Sequence, residues 1–413
     1  MMITLQQARQ KFIQSVSKQT AIEEVSLHLA LGRVSAADQH SAIAVPPTDN
    51  SAMDGFAVNS NDLDDGANVL TISQRIPAGA WPDPLQRGTA VRIFTGGVMP
   101  SGADAVVIQE NCDYRDGSDQ VTILKSVSAA QNVRPKGQDI AVGAKIIAAG
   151  SKMNAVHLGL LASIGCSTVS VYRAITVAVF STGNELIEPG QALEPGQIYN
   201  SNRTMLLALC HQMGYQTIDC GIVEDTLEAT KAALKHAAQQ ADIIISSGGV
   251  SVGEEDHIKP AIEALGSLQH WKVQMKPGKP VVLGSVIDTP ILGLPGNPVS
   301  SYVVFQLLGI PLLKALQGEV VIAPIAFKVV AGFDKRLTSR EEYIRVRISS
   351  KHENDSAQEN LDSDQPVAQL FNNQSSGVLS SLAWADGLVR QSIDQIISKG
   401  DTVDFLPLRE GLL

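Results

Sequence analysis

Three serines, three glycines and three acids fall within one run, Ile243-Ile244-Ile245-Ser246-Ser247-Gly248-Gly249-Val250-Ser251-Val252-Gly253-Glu254-Glu255-Asp256-His257. Its β-branched opening predicts a buried parallel strand. Glycines at the carboxyl end of such a strand let the backbone approach a ligand and turn N–H groups outward. Oxygens and carboxylates beside those donors suit a phosphate-bearing ligand with a divalent cation. Three further strand ends carry comparable residues: Ser181-Thr182-Gly183-Asn184-Glu185, Glu224-Asp225-Thr226 and Leu294-Pro295-Gly296-Asn297-Pro298. A parallel sheet collects such loops along one rim, so Glu185, Asp225 and Asp256 can converge. Gathered carboxylates repel unless a cation sits among them or one holds a proton. Magnesium, which favours oxygen ligands and phosphate partners, is the natural candidate. Simpler readings stand beside this one. Asp225 or Asp256 can cap a helix, worth about 1 kcal/mol. Glu185 can be merely solvated, and Pro298 can mark a helix's first position after a rigid turn.

Basic groups follow in Trp271-Lys272-Val273-Gln274-Met275-Lys276-Pro277-Gly278-Lys279-Pro280. Period-two alternation puts Lys272 and Lys276 on one side of an extended strand, with Lys276 and Lys279 flanking a Pro-Gly turn. Such lysines neutralise an oxyanion or phosphate, or are a solvated strand and turn. Three turns upstream also carry useful side chains: the polar stretch 46–58 with Asp54 just ahead of a strand, Phe94-Thr95-Gly96-Gly97-Val98-Met99-Pro100, and Arg134-Pro135-Lys136-Gly137-Gln138-Asp139.

The elements that must position these loops are readable in outline. Thr4-Leu5-Gln6-Gln7 has capping-box spacing and opens a short amphipathic helix to Val16. A second helix is expected over 21–30, ending at Gly32. From Pro46 to about Asp139 the chain is rich in Gly, Pro, Asp and Asn, with short β-type runs. That predicts a β-rich insert between helical pieces. Helical pattern returns at 154–164. From 174 to about 317, strands at 175–180, 217–223, 242–245, 281–283 and 291–294 alternate with helices at 203–213, 226–240 and 258–265. A long apolar helix follows Pro298, with a break near Pro311. This alternation predicts a doubly wound parallel α/β domain, whose ligands bind beyond the carboxyl ends of its strands. From about Ile322 a small β domain is expected, interrupted by an exposed acidic loop over 349–365.

Composition narrows the function classes. A chain of 413 residues predicts two to four domains, and its hydrophobic fraction of 44% suffices for their cores. A net charge of −10 argues against nucleic-acid binding, so an anionic ligand must be met by local lysines, backbone amides or a metal. Cys112, Cys166, Cys210 and Cys220 form no C-x-x-C pair, which argues against a zinc site and for free thiols in a reducing cytoplasm. The N-terminus has no signal-peptide pattern. The apolar stretch 303–316, containing Gln306, Pro311 and Lys314, falls short of the roughly 20 residues a spanning helix needs. A soluble cytoplasmic protein without membrane or nucleic-acid partners is expected.

Taken in order, the motifs at 51–58, 94–100, 134–139, 181–185, 246–256, 276–280 and 295–300, and Gln374-Ser375-Ser376-Gly377, resemble the molybdopterin molybdenumtransferases, the family that includes MoeA and the E domain of gephyrin. The resemblance covers essentially the whole chain. It implies an enzyme of molybdenum cofactor synthesis that inserts molybdate into adenylylated molybdopterin, with Mg²⁺-assisted release of AMP. It implies a multi-domain α/β fold: a molybdopterin-binding domain of residues 1–20 and 174–320, a helical linking domain of 21–45 and 140–173, a β-rich insert of 46–139 and a C-terminal β domain of 321–413. It implies a homodimer with its site in a cleft between the α/β domain of one subunit and the insert of the other. Molybdopterin adenylyltransferase and apo-molybdoenzymes or their chaperones are the further partners it suggests.

Carried over by motif, Glu185, Asp225 and Asp256 hold the metal and share the chemistry with Lys272, Lys276, Asp54 and Thr95. Ser247, Gly248, Gly249, Ser251 and Lys279 bind the pterin substrate, with Pro295, Gly296 and Pro298. Asp54, Thr95, Arg134 and Asp139 face them from the partner subunit, and Arg345 and Ser376 contribute from the C-terminal domain. Asn184 stands where the family often has an acid, which implies altered cation affinity. Two other readings stay in play. The preceding adenylylation step uses a similar α/β domain, but the extra β domains here argue against it. A scaffold that holds the pterin without turnover is disfavoured by the retained acids and lysines.

Overall fold

The computed structural model describes residues 2–63, 68–250, 257–349 and 365–408. The run beginning at Ile243 forms the strand Ile243–Ser247, and all five residues are buried. Both faces of this strand are covered, which is why its sequence is apolar without alternation. It lies inside a seven-stranded sheet ordered Met2–Ile3, Gly266–Val273, Pro280–Val286, Thr289–Leu294, Ile243–Ser247, Thr176–Thr182, Gln216–Val223. The last four are parallel. Pro280–Val286 pairs antiparallel with both of its neighbours.

The sheet is therefore mixed rather than wholly parallel. The reason is the link between Pro280–Val286 and Thr289–Leu294, a two-residue turn of Ile287 and Asp288 with φ of 47° and 67°. That geometry makes a tight hairpin, whereas a parallel return needs a crossover of a dozen residues or more.

Alternation sets the two faces of the sheet. Val177, Val179, Ile245 and Leu292 pack with Leu206 and the helical stretch 298–317. Ala178, Phe180, Ile244 and Ile291 pack on the other side with Leu234, Ile258 and Ile262. The long apolar helical stretch expected after Pro298 runs over Pro298–Gln317, 20 residues that would suffice to cross a membrane by length and composition but are mostly buried in the protein. It consists of Pro298–Val304 and Ile310–Gln317 joined by a π turn at Phe305–Gly309, so the break falls just ahead of Pro311.

Downstream, Glu341–Ser349, Val367–Leu370, Phe327–Ala331, Thr402–Pro407 and Gly387–Gln391 pair in that order, and the last returns to the first. The five strands thus close on themselves around Val329, Ile344, Val389 and Phe405. The two-residue strand Met275–Lys276 adds to this barrel, parallel to Glu341 and Glu342. Only Gln274 separates it from the end of Gly266–Val273 in the larger sheet.

The chain divides into two compact units, one of residues 1–23, 32–36 and 171–413 and one of 24–31 and 37–170. The second contains a six-stranded sheet ordered Ala105–Ile108, Gly55–Val58, Thr89–Ile93, Asn68–Ile76, Gln120–Ile123, Cys112–Asp113. Phe56, Val58, Val107 and Ile123 fill one side of it, and Ala57, Val91, Ile93 and Val106 the other. The predicted helix at 154–164 forms over Ala155–Ser163, capped by Asn154. The helix expected over 21–30 does not form. Ile22–Ser26 is a strand, followed by a single 3₁₀ turn at Leu27–Leu29. The Gln19 side-chain oxygen accepts from the N–H groups of Thr20 and Ala21, both at 2.9 Å, and holds the chain extended where the helix would begin.

Candidate active site

A cavity of about 810 Å³ opens at the carboxyl ends of the parallel strands. Each of the four predicted loops lines it: Thr182, Gly183 and Glu185 from the first, Asp225 from the second, Ser247, Gly248 and Gly249 from the third, and Pro295, Gly296 and Pro298 from the fourth. The glycines are required by space as well as by conformation. Gly248 has φ +93°, and a Cβ there would lie 2.8 Å from the Thr182 carbonyl oxygen. Gly249 has φ +64°, and its Cβ would lie 2.6 Å from Ile258 Cδ1. No other residue fits either position without displacing a neighbour.

The two described acids reach the cavity differently. The Glu185 carboxylate folds back over Gly183, where a Cβ would meet its Oε2 at 2.5 Å. The Glu185 carbonyl accepts from Ile198 N–H at 2.8 Å, within a small parallel pairing of Leu186–Ile187 with Ile198–Tyr199. Asp225 is not the helix cap: Thr226 is, and its hydroxyl accepts from Ala229 N–H at 3.2 Å. That leaves Asp225 lining the cavity one residue earlier. Asp256 and Ser251 lie outside the described residues, as do Glu254 and Glu255. His257 stands at the cap position of the helix Ile258–Leu265 without a side-chain cap bond.

Among the described residues no group of three or more His, Cys, Asp or Glu is placed to hold a metal ion. Two carboxylates on one cavity still fit Mg²⁺, which takes one or two protein carboxylates and fills its other positions with water and phosphate oxygens.

The lysines part company. Lys279 lines the cavity, and Lys272 and Lys276 are not among its lining residues. Nor do these two share a strand: Lys272 belongs to Gly266–Val273, and Lys276 is paired onto the barrel. Lys276 Nζ lies 3.3 Å from the buried Glu342 Oε1, which Lys335 Nζ also approaches at 3.0 Å. The turn between Lys276 and Lys279 packs tightly against the helix Pro298–Val304, where a Cβ on Gly278 would lie 2.3 Å from Val304 Cγ2.

Arg345 is 1% exposed and does not line the cavity. Its Nε donates to Ser381 Oγ at 3.0 Å, and one Nη donates to the Ser375 carbonyl at 3.0 Å. Burial lowers its pKa to about 10, against the raising influence of Glu342. The Gln374 amide is hydrogen-bonded to the Arg345 backbone in both directions, each at 3.0 Å. Arg345 thus anchors the loop over 373–377. Ser376 does not line the cavity either: its carbonyl accepts from Val299 N–H at 3.0 Å, and its neighbour Gly377 faces the cavity.

In the second unit the three predicted turns come together. Asn50–Ser51 pairs with Val133–Arg134, and Ser51 exchanges hydrogen bonds of 2.8 Å with Gly96 and Gly97. Asp54 Oδ1 accepts from the Thr95 N–H at 2.8 Å and from the Thr95 hydroxyl at 2.9 Å. These bonds, with nearby Arg92, hold the Asp54 carboxyl below the usual carboxylate range. Asp54, Thr95, Arg134 and Asp139 are all exposed.

Asn200, Ser201 and Asn202 line the cavity as well and were not anticipated. They open the helix Ser201–Gln212, capped by Asn200, two residues ahead of the expected start at Arg203. An asparagine pair just beyond the strand-like Ile198-Tyr199 was the available signal. Arg203 locks this helix start: it donates to both Glu188 carboxylate oxygens at 2.8 and 2.7 Å and lies 2.8 Å from Asp219.

Three family models match the chain in sequence: the MoeA N-terminal region (domain I and II) over residues 3–165, a "Probable molybdopterin binding domain" over 178–315, and the MoeA C-terminal region (domain IV) over 328–408. A molybdopterin molybdenumtransferase of Haemophilus influenzae is 39% identical over 77% of this chain and 78% of its own length. One from Nostoc sp. is 40% identical over 74% and 72%. Among solved structures, a molybdopterin biosynthesis MoeA protein from Pyrococcus horikosii superposes with a TM-score of 0.78 at 30% identity, covering 99% of this chain and 100% of that one.

Proposed function

Because this chain belongs to the molybdopterin molybdenumtransferase family, we propose that it inserts molybdate into adenylylated molybdopterin and releases AMP. Family membership itself makes it a transferase of molybdenum cofactor biosynthesis. The observation that carries the finer reading is the shared cavity, in which Glu185 and Asp225 stand beside Gly248, Gly249 and Lys279. That set offers carboxylates for a hard cation, and backbone donors and an ammonium for phosphate oxygens.

In this reading the backbone N–H groups of Gly248 and Gly249 and the Lys279 ammonium attract the anhydride phosphates. Glu185 and Asp225 would hold Mg²⁺, and the same role is proposed for Asp256. When bound, the ion withdraws charge from the phosphoanhydride as AMP departs. The dithiolene thiols take the place of oxygen ligands on molybdate, which is substrate here and stays Mo(VI); the displaced oxygens leave with the thiol protons as water, and a water oxygen takes up the phosphorus from which AMP or the pterin phosphate departs. Lys272 and Lys276 are assigned to charge compensation for these anions. Asp54, Thr95, Arg134 and Asp139 are assigned to the same reaction, in a homodimer. Molybdopterin adenylyltransferase supplies the substrate, and apo-molybdoenzymes or their chaperones receive the product.

Purified protein given adenylylated molybdopterin, Mg²⁺ and molybdate is expected to release AMP stoichiometrically with molybdenum-loaded pterin. Pterin binding without AMP release would favour a scaffold instead. Light scattering behind gel filtration should return twice the chain mass of 43.8 kDa.

A further inference from the structure

We propose that Asn202 is a positioning residue whose side-chain amide ties two of the cavity loops together. Its Nδ2 donates to Ser247 Oγ at 2.9 Å and to the Gly296 carbonyl at 2.6 Å. One NH₂ group therefore bridges the Ser-Gly-Gly loop and the Pro-Gly-Asn-Pro loop. The same two loops meet directly where Gly248 N–H donates to the Leu294 carbonyl at 3.1 Å. They lie close enough that a Cβ on Gly296 would be 3.7 Å from Gly248 Cα. Asn202 is 8% exposed and its Oδ1 is buried without a hydrogen-bond partner, so the NH₂ group alone makes the tie.

Asn200, on the same helix start, extends the tie to a third loop. Its Oδ1 accepts from Ser181 Oγ at 3.3 Å and from Arg203 N–H at 3.3 Å. Arg203 in turn is fixed by Glu188 and Asp219. The start of Ser201–Gln212 is thus a rigid post to which Ser181, Ser247 and Gly296 are fastened. Loops that carry backbone donors for an anion must keep fixed spacing, because a displacement of about 1 Å costs on the order of a hundredfold in rate.

Asn202→Asp separates donor from bulk. Aspartate has nearly the same shape but no N–H, and its carboxylate would face the Gly296 carbonyl in place of a donor. The proposal builds on the insertase reading for its kinetic readout, and hydrogen exchange supplies a readout that does not. In N202D, amide exchange at residues 248–250 and 296–299 should speed up roughly tenfold or more, while Leu227–Ala238 and Ile258–Leu265 stay unchanged. AMP release should lose about a hundredfold in kcat/KM, mostly in kcat. Unchanged exchange at both loops would overturn the proposal. Loosened loops in a protein whose wild type releases no AMP would overturn the insertase reading and leave the tie standing. If N202D melts more than about 10 °C lower, Ser247→Ala decides, because it removes one of the two bonds without adding charge. It must then raise exchange at 248–250 alone, and no change there would count against the tie.

Discussion

Lys276 stands in register with Glu342, and its ammonium lies 3.3 Å from that buried carboxylate. Glu342 is 4% exposed and also holds Lys335. One carboxylate therefore fixes both the short strand before the Pro277-Gly278 turn and the barrel onto which that strand is paired.

Glu342→Gln tests this joint. Breaking a buried pair by removing one partner costs about 3–5 kcal/mol, but Lys276 is half exposed and solvent takes up part of the loss. A destabilisation of about 1–3 kcal/mol is expected in urea titrations. A midpoint that does not move would show that the ammoniums contribute nothing to holding the joint.

The two glycines of the third loop give a steric test. Gly249→Ala meets Ile258 and Gly248→Ala meets the Thr182 carbonyl, both at positive φ. Gly143, at φ +80° with nothing within 4 Å of an added Cβ, is the control. Gly143→Ala should cost about 1 kcal/mol from backbone strain alone, and each loop variant about 2–4 kcal/mol. Equal costs at all three positions in thermal melts would mean that the loop is not tightly packed.

Glu185→Ala and Asp225→Ala should each reduce AMP release by roughly a hundredfold or more and raise the Mg²⁺ concentration needed for half-maximal rate. Chelation with EDTA should stop wild-type turnover, and added Mg²⁺ should restore it. Neither exposed Glu185 nor partly exposed Asp225 lies in a hydrophobic core, so melting temperatures should hold. Full activity in EDTA would remove the metal from the mechanism.

Asp54 makes a pH prediction. Its folded pKa lies below the ordinary carboxylate value because the charged form accepts two hydrogen bonds from Thr95. Its contribution to stability is therefore fully present above the unfolded pKa and is lost as pH falls through the lower folded value. Thr95→Val removes the hydroxyl donor and keeps the backbone one. Carbon-detected NMR titration should show Asp54 moving part of the way back up; an unmoved titration would mean that the hydroxyl bond does not form.

Cys210 is fully buried, and desolvation of the thiolate pushes its pKa up to about 12. A thiol reagent at pH 8 should leave it untouched in the native protein and label it at the rate of global unfolding. Labelling faster than unfolding would reveal a local opening under the helix Ser201–Gln212.

The cavity's walls are readable in the sequence because burial on both faces writes a strand plainly, as in Ile243-Ile244-Ile245, and because a parallel sheet gathers its Gly-rich strand ends along one rim. What escaped depended on distant partners. The hairpin at Ile287-Asp288 carries none of the Asn-Gly or Gly signals that mark such turns, so a parallel sheet was expected. Lys272 and Lys276 obey strand alternation in sequence, but the chain changes sheets at Gln274. The asparagines at 200 and 202 carry no local signal of a site beyond a helix start, because the helical pattern is clear only from Arg203 and it is tertiary contacts that turn them to the neighbouring loops. The burial of the Arg345 guanidinium against Ser375 and Ser381 likewise depends on residues some thirty positions away and has no local mark in the sequence.

The passage of the chain from sheet to barrel through the single residue Gln274 bears on how the molecule can be cut. A fragment ending near the helix Ile310–Gln317 would keep Glu185, Asp225, Gly248, Gly249 and Gly296 but lose Gly377 from the cavity wall. It would also strip Met275–Lys276 of its pairing partner and leave an unsheltered β edge next to an uncompensated ammonium. Such a minimal fragment should be prone to self-association and should present the Lys279 turn loosely, so the small terminal barrel serves as the brace that keeps the larger half in working order.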